Sequence, residues 1–470
     1  MKARVPFVGP AYAYPDSPIA VQELVNYYLE VVSNQGRDPV ALRGYPGLVS
    51  FTTGLAGRVR GMGTFDGITY VVAGTTLYTI ASDGTATSRG TINGTGRIKM
   101  IQNPTQILIC DKPIGHLNAF AVFPGNTTEA YVYTKVSNTL TLIADVDFSA
   151  ANDRGFFWSQ ETDDFLLYDA LDTAQAGANG DKVVGCLTDD RQLVIFGEVS
   201  TEFWYFTGDT IPFSRQDGAV ISYGCIAPDS ITRGADTFFW LGHDKSVYSA
   251  SAFSPVKISN YAIDDAIQTY ANPENAVGFY HTWKGHKFYT LSFDEATWVY
   301  DVDLGPEIGW SKRKSWNVDR WRGTEATFNY GKQLIGDHYT GTIWEMRSDI
   351  YDEGGEILEA KRTGNYYHNN QNTFWLTEFE LIMQVGRGLI IGQGSDPKVM
   401  LRITKDGGRT WGPERQRSLG VQGANDTRVR FTRNGKSNTS MAVEIRITDP
   451  VPRDIISAVG NIKVGAGWST

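Results

Sequence analysis

QLVIFGEVSTEFWYFTGD, residues Gln192 to Asp209, consists of two short apolar and aromatic runs joined by a polar turn and closed by Gly-Asp. Short runs rich in Val, Ile, Phe, Tyr and Trp, bounded by Gly, Asp and Ser, read as strands, and two runs this close together read as a hairpin. The same grammar returns in TFFWLGHDKSVYSASA (237–252), GHKFYTLSFDEATWVYDVD (285–303) and QLIGDHYTGTIWEMRSD (333–349). The starts fall roughly 40 to 50 residues apart, the spacing of four-stranded propeller blades. Upstream, ITYVVAG, TLYTIASDG, IKMIQN, QILICD, AYVYTK and LTLIAD extend the pattern back to residue 55. The expectation is about six such units between residues 51 and 350. Twisted sheets stacked around an axis are covered on both faces, which dilutes strict alternation; FFWL and LVIF read that way. One helical patch, NYAIDDAIQTYA, places Ile263 and Ile267 one turn apart behind Asn260 as a cap, and should bridge two blades.

The flanks differ from this middle. Segment 1–50 carries prolines at 6, 10, 15, 18, 39 and 46 and one sustained apolar stretch, AVQELVNYYLEVV. That stretch reads either as a helix capped at Ser17-Pro18 or as a strand, and the segment is expected as an extended arm lying against a neighbour. Beyond residue 351, FWLTEFELIMQV, KVMLRITKD, TRVRFTRNG and MAVEIRITD alternate over greater lengths, as in a β-sandwich-like domain. The expected architecture is therefore all-β: an N-terminal arm (1–50), a β-propeller (51–350) and a C-terminal β-sandwich-like domain (351–470).

Composition agrees. The chain of 470 residues has 50 glycines, 23 tyrosines, 23 phenylalanines and 12 tryptophans, so turns and aromatic packing dominate. The net charge of −9 opposes general binding to phosphate backbones. It is unevenly spread, since residues 401–470 carry twelve Lys and Arg against six Asp and Glu, a balance of +6 against −15 for the rest. An acidic body with a basic end suits assembly between protein surfaces. Cys110, Cys186 and Cys225 lie far apart without a CxxC pair, which speaks against a disulfide framework or zinc knuckle and for folding in a reducing compartment. The N-terminal sequence lacks the apolar run of a signal peptide and no long apolar stretch occurs, so neither export by that route nor membrane insertion is expected.

Catalytic and metal chemistry finds little support. Histidines 116, 243, 281, 286, 338 and 368 include no H-E-x-x-H, and the acidic pairs Asp163-Asp164, Asp189-Asp190 and Asp264-Asp265 and the step Asp301-x-Asp303 read as turn chemistry. NGKS (434–437) ends like a phosphate-binding loop, but Arg430 stands where its first glycine belongs. No G-x-S-x-G elbow is present. No cofactor, no metal and no catalytic residue is expected.

Two features of the basic end remain. TKDGGRTW (404–411) fits the Ser/Thr-x-Asp-x-Gly-x-Thr-Trp box of sialidases and related propellers. In a hairpin, Asp406 accepts N–H bonds across the turn beside Thr404 and Thr410, Gly408 allows positive φ, and Trp411 packs back on the strands. Those are folding roles; a sialoside hydrolase would also need clustered arginines, a Tyr-Glu nucleophile and usually one box per blade. A glycosidase or carbohydrate-binding adhesin using this hairpin is the alternative reading. Arg428 and Arg430 share a strand face and, with Arg433, form a basic patch suited to an interface, although a solvated face explains it too. Lys312-Arg313-Lys314 reads as a similar case on a hairpin.

Several segments, taken in order, resemble the packaged-DNA stabilisation, or tail hub (nozzle), proteins of short-tailed bacteriophages. They are VNYYLEVVSNQGRDPVALRGYPGL (25–48), GTGRIKMIQNPTQILICD (94–111), RQLVIFGEVSTEFWYFTGD (191–209), WLGHDKSVYSASAFSPVKISNYAIDDAI (240–267) and KDGGRTWGPERQRSLG (405–420). The resemblance implies a non-enzymatic virion protein, present in the host cytoplasm during assembly. Such proteins form a ring, usually of six copies, below the portal and its adaptor, and close or line the exit channel so that double-stranded DNA is retained until it passes. They also offer platforms for a tail needle, tailspikes or fibres. An acidic channel wall would let DNA slide without sticking, and a closed ring would join unlike patches of successive copies.

Overall fold

The computed structural model describes residues 2–13, 20–32, 38–117, 120–125, 127, 129–143, 153–160, 164–176 and 180–464. Residues Ser17 and Pro18, the proposed helix cap, and Asp163 lie outside them. All long elements are strands, and the chain builds a propeller followed by a β-sandwich.

Among the described residues, seven four-stranded antiparallel units form the propeller, and the first strands of successive units lie against one another in a closed ring. In chain order these inner strands are Val59–Phe65, Lys99–Gln102, Gly115–Leu117, Val183–Asp189, Thr232–Arg233, Val277–Trp283 and Gly323–Asn329. The opening stretch supplies the second and third strands of the fourth unit, Gln192–Gly197 and Thr201–Phe206, with Leu193, Val194, Ile195 and Phe203 at most 1% exposed. The expectation of about six units holds to within one. The second and third units are interleaved, because Gly115–Leu117 and Phe120–Pro124 of the third leave the chain before Ala130–Thr134 and Thr139–Leu142 complete the second. The helix Tyr261–Thr269 joins the fifth and sixth units; the Asn260 side chain accepts from the Ile263 N–H at 3.1 Å, and Ile263 and Ile267 are buried.

The first fifty residues are extended, as expected of an arm, but they are built into both domains. AVQELVNYYLEVV is two strands, Val21–Val25 and Tyr27–Val31, broken where Asn26 takes φ 56°. Val21–Val25 pairs with Ala360–Thr363 of the sandwich and meets Trp310–Arg313 of the sixth unit, so one sheet runs from propeller to sandwich. Phe7, Leu24, Tyr27, Leu29 and Leu42 pack into the sandwich core with Phe379, Leu401, Val443, Ile445 and Ile455. Gly47–Thr52 pairs with Ile343–Arg347 and closes the seventh unit. A side chain at Gly47 would strike the Asp352 carbonyl, 2.3 Å from its Cβ position, so only glycine lets the closing strand lie against Asp352–Glu353, which extends the seventh unit's sheet.

Polar groups fix this seam. The Asn26 amide donates to the carbonyls of Lys314 in the propeller and Glu359 in the sandwich, both at 2.7 Å. Three arginines at the seam are at most 1% exposed. Arg362 donates to the carbonyls of Phe7 at 2.9 Å and Pro10 at 3.1 Å. Arg453 donates to the carbonyl of Leu358 at 2.5 Å, and Arg313 to that of Pro46 at 3.1 Å while stacking 3.6 Å from the Trp321 ring centroid. Arg313 thus departs from the solvated hairpin expected of Lys312-Arg313-Lys314: it ends the sixth unit's last strand with its side chain turned into the aromatic seam. Burying a guanidinium is costly, and here part of that cost is offset by bonds to backbone carbonyls, those of Phe7, Pro10, Tyr45 and Pro46 in the N-terminal segment and that of Leu358.

Candidate functional site

Candidate contact surfaces cluster on the sandwich. Strand Lys398–Thr404 turns through TKDGGRTW into Arg415–Ser418. Within the turn the Thr404 hydroxyl donates to Asp406 Oδ1 at 2.7 Å and accepts the Gly408 N–H at 3.0 Å, while the Thr410 N–H donates to Asp406 Oδ1 at 3.0 Å. Gly407 and Gly408 take φ 80° and 88°, the left-handed region that glycine enters without strain. Bonds from the Thr410 hydroxyl and N–H, and from Thr404, hold the Asp406 carboxyl down to about 2. Trp411 is half-buried under the Arg402 guanidinium, 5.4 Å from its centroid, and Arg402 is ion-paired to buried Glu444. The Thr404, Asp406 and Thr410 side chains of the box are therefore used within the hairpin, which lies outside the propeller.

The structure brings this hairpin beside the basic patch. Arg415–Ser418 is the outer strand of one sandwich sheet and Val429–Thr432 that of the other. Arg415 donates to the Thr432 carbonyl at 2.9 Å and Arg417 to the Arg430 carbonyl at 3.0 Å, so arginines of one edge cap backbone acceptors of the other. Edges covered in this way cannot recruit a further strand. Arg428 grips Glu380 through two bonds of 2.6 and 2.7 Å, and Arg430 lies 3.6 Å from Glu378. Lys2 adds contacts of 2.5 and 2.7 Å to the same two glutamates. The Arg428 bond, with help from Lys2, draws Glu380 down to about 2 against its burial. Arg433 is exposed at φ 58°. Of the three arginines singled out, two are neutralised within the chain.

Sequence reading missed two features. In the loop RGLII (387–391), Ile390 and Ile391 are both 81% exposed, with Leu389 and Val421 also out in solvent. An uncovered aliphatic knob of this kind marks a contact site; its signal was three aliphatic residues set between glycines. Ahead of the inner strands of the first, second and seventh units, Arg58, Arg97 and Arg320 all act on the charge of His338 although they are far apart in sequence, so no spacing could reveal them.

The remaining candidates are structural. His281 is buried between Phe279 and Phe288 and pushed down to about 3 by burial and by Arg313. His286 bridges Asp301 at 2.6 Å and Glu30 at 3.3 Å. Asp189 lies 3.7 Å and Asp190 3.0 Å from Arg233, and Asp264 accepts from the Ser259 hydroxyl. All three cysteines are free and buried, and burial pushes their thiols up. Among the described residues no group of three or more His, Cys, Asp or Glu is placed to hold a metal ion, and no helix is long and apolar enough to cross a membrane.

Comparison with known families gives two matches, in order along the chain. The family described as "Bacteriophage P22 Gp10, beta-propeller" matches residues 20–351, and "Bacteriophage P22 Gp10, beta-sandwich" matches residues 360–462. No curated protein is significantly similar in sequence. Similar solved structures include the computationally designed Ika8 protein, at 12% identity, covering 69% of this chain and 99% of that one with a TM-score of 0.37. The exo-beta-1,3-galactanase of Phanerochaete chrysosporium covers 88% of this chain and 99% of its own at 11% identity and a TM-score of 0.30. BamB of Moraxella catarrhalis covers 68% and 98% at 10% identity and 0.36. At these scores the likenesses carry no argument about activity.

Proposed function

We propose a tail hub or nozzle role for this chain, which belongs to the bacteriophage P22 Gp10 family and is a phage structural protein of the virion. In this reading copies close into a ring, six in number, below the portal and its adaptor. The ring closes or lines the DNA exit channel, retains packaged double-stranded DNA, and carries the needle, tailspikes or fibres. It catalyses nothing, and it assembles in the host cytoplasm.

The observation that carries the assembly reading is the bare knob at Leu389, Ile390 and Ile391 on the sandwich. Large exposed aliphatic side chains on a well-packed domain are costly in water and are covered in the working assembly. Joined to a patch of different character on the next copy, such a knob gives an unlike-to-unlike contact that repeats until the ring closes. The neutralised Arg428 and Arg430 then act at the rim of that contact, where charge sets register more than strength.

The enzyme alternative is weakened by the Asp box, whose carboxylate is spent on its own turn. The mass of the assembly separates this reading from a trimeric adhesin or spike. Native mass spectrometry of the purified assembly should give six copies, and Ile390→Ser with Ile391→Ser should shift it to monomer while leaving each copy folded. A trimer, or a hexamer indifferent to the double substitution, would overturn the contact proposed.

A further inference from the structure

The knob on the sandwich is shaped in advance of any partner. The Leu389 N–H donates to the Gly394 carbonyl at 2.7 Å and the Ser395 N–H to the Gly392 carbonyl at 3.1 Å, so Ile390 and Ile391 stand at the tip of a closed loop. Gly392 and Gly394 take φ 80° and 88°, which lets the chain reverse there without strain. A loop already held in shape loses little conformational freedom on binding. Beside the tip, Arg387 is exposed and has no ion-pair partner among the described residues.

The propeller carries a cleft of matching character. Where the chain passes from the fourth unit to the fifth, Val183, Val184, Cys225, Ile226 and Pro228 line a cleft of about 340 Å³. Backbone bonds fix its walls: the Cys225 N–H donates to the Gly197 carbonyl at 2.9 Å, the Glu198 N–H to the Lys182 carbonyl at 3.0 Å and the His243 N–H to the Gly224 carbonyl at 3.2 Å. A cavity of roughly 150 Å³ holds a benzene-sized group in a protein interior, so this one has room for two branched aliphatic side chains. Val199 and Tyr223, 46% and 37% exposed, extend the apolar surface on the same two turns. Lys182, Glu198 and His243 stand exposed at the rim. Lys182 is paired with Asp153 at 2.8 Å and His243 Nδ1 accepts the Gly224 N–H at 3.2 Å, whereas Glu198 has no ion-pair partner among the described residues.

We propose that the knob of one copy seats in this cleft of the next, with Ile390 and Ile391 on its apolar floor and Arg387 against Glu198. The inference rests on the ring reading and names the second surface that reading requires. Both surfaces are uncovered in the single chain, so neither fills the other within one copy. Because knob and cleft are unlike, each copy offers both halves of the contact and it repeats from copy to copy instead of ending at a pair. Burial of the bare aliphatic groups supplies the driving force, and the charge pair fixes which way the loop enters. The clefts along the seam fit less well, because charged groups that already pair, Glu23 with Lys312 and Lys361 and Glu359 with Arg446, line them. The cleft between Gln22 and Trp298 holds only about 20 Å³.

The full-length protein would carry Arg387→Cys and Glu198→Cys together, each alone, or as an equal mixture of the two single variants, and be oxidised at a concentration at which the wild type assembles. On denaturing, non-reducing gels the double variant should give a ladder of disulfide-linked species, the mixture dimers only, and each single variant none, since the three native cysteines are buried. In native mass spectrometry, Arg387→Glu or Glu198→Lys alone should raise the concentration for half-assembly about tenfold, and the two together should restore it. Dimers from Arg387→Cys alone would mean knob against knob and would overturn the proposal. A six-copy mass without the ladder would sink this contact and leave the ring standing, with the knob serving another virion protein. A chain that stays monomeric would remove the ring reading and this contact with it. Recruitment of the wild type, but not of Ile390→Ser with Ile391→Ser, to vesicles of phosphatidylglycerol and phosphatidylethanolamine would assign the knob to a lipid surface and contradict the proposal as well.

Discussion

Arginines of the seam and arginines of the sandwich edge show how one residue type does two jobs. At the seam, Arg313, Arg362 and Arg453 are at most 1% exposed and give their donors mainly to carbonyls of the N-terminal segment and its neighbours. At the edge, Arg428 and Arg430 keep 62% and 50% of their side chains in solvent and face carboxylates. The seam groups hold parts of the chain together, because withdrawing one strands the buried carbonyl or carbonyls it serves. The edge groups are screened by water and salt, and their pairing contributes little to folding. Sequence charge therefore locates the basic end correctly while saying nothing about which arginines are load-carrying.

Substitution at the seam should have the largest effect. Arg453→Ala would leave the carbonyls of Leu358 and Tyr45 unpartnered inside the core, with an expected loss of about 3 kcal/mol or more in denaturant unfolding. A loss as small as that of an edge variant would erase the distinction drawn here.

The seam should also respond to pH through His286, which joins Asp301 of the propeller to Glu30 of the N-terminal strand. The bond to Asp301 outweighs burial and raises the imidazole above its ordinary value of 6.5, with Glu30 assisting. Its contribution is fully present below 6.5, where the unfolded imidazole is also protonated, and is lost as pH rises from there through the folded value. The unfolding midpoint should fall across that window, and His286→Gln should flatten the fall. At the other extreme, Arg428→Gln should leave the midpoint nearly unmoved, since the exposed fork to Glu380 works against high dielectric and side-chain entropy.

The blades were legible because each carries its own turns and apolar runs, as in QLVIFGEVSTEFWYFTGD and its relatives along the chain. The interleaving of the second and third units was not, because strand order along the chain says nothing about which hairpin joins which sheet. AVQELVNYYLEVV could not be assigned from periodicity alone; tertiary pairing with Ala360–Thr363 and the left-handed kink at Asn26 decide it. For the surfaces, the Asp-box turn was visible as a local motif, and Arg428 and Arg430 as a shared strand face. Their glutamate partners come from a strand about fifty residues away, a distance at which pairing leaves no spacing signal. Arg58, Arg97 and Arg320 act together on His338 only because the propeller closes on itself.

The central claim is that this protein holds packaged DNA behind the tail channel. Cryo-electron microscopy of intact particles and of particles assembled without the protein tests it most directly. The account predicts a six-fold ring below the adaptor in the first and empty heads in the second; full heads without the protein would contradict it.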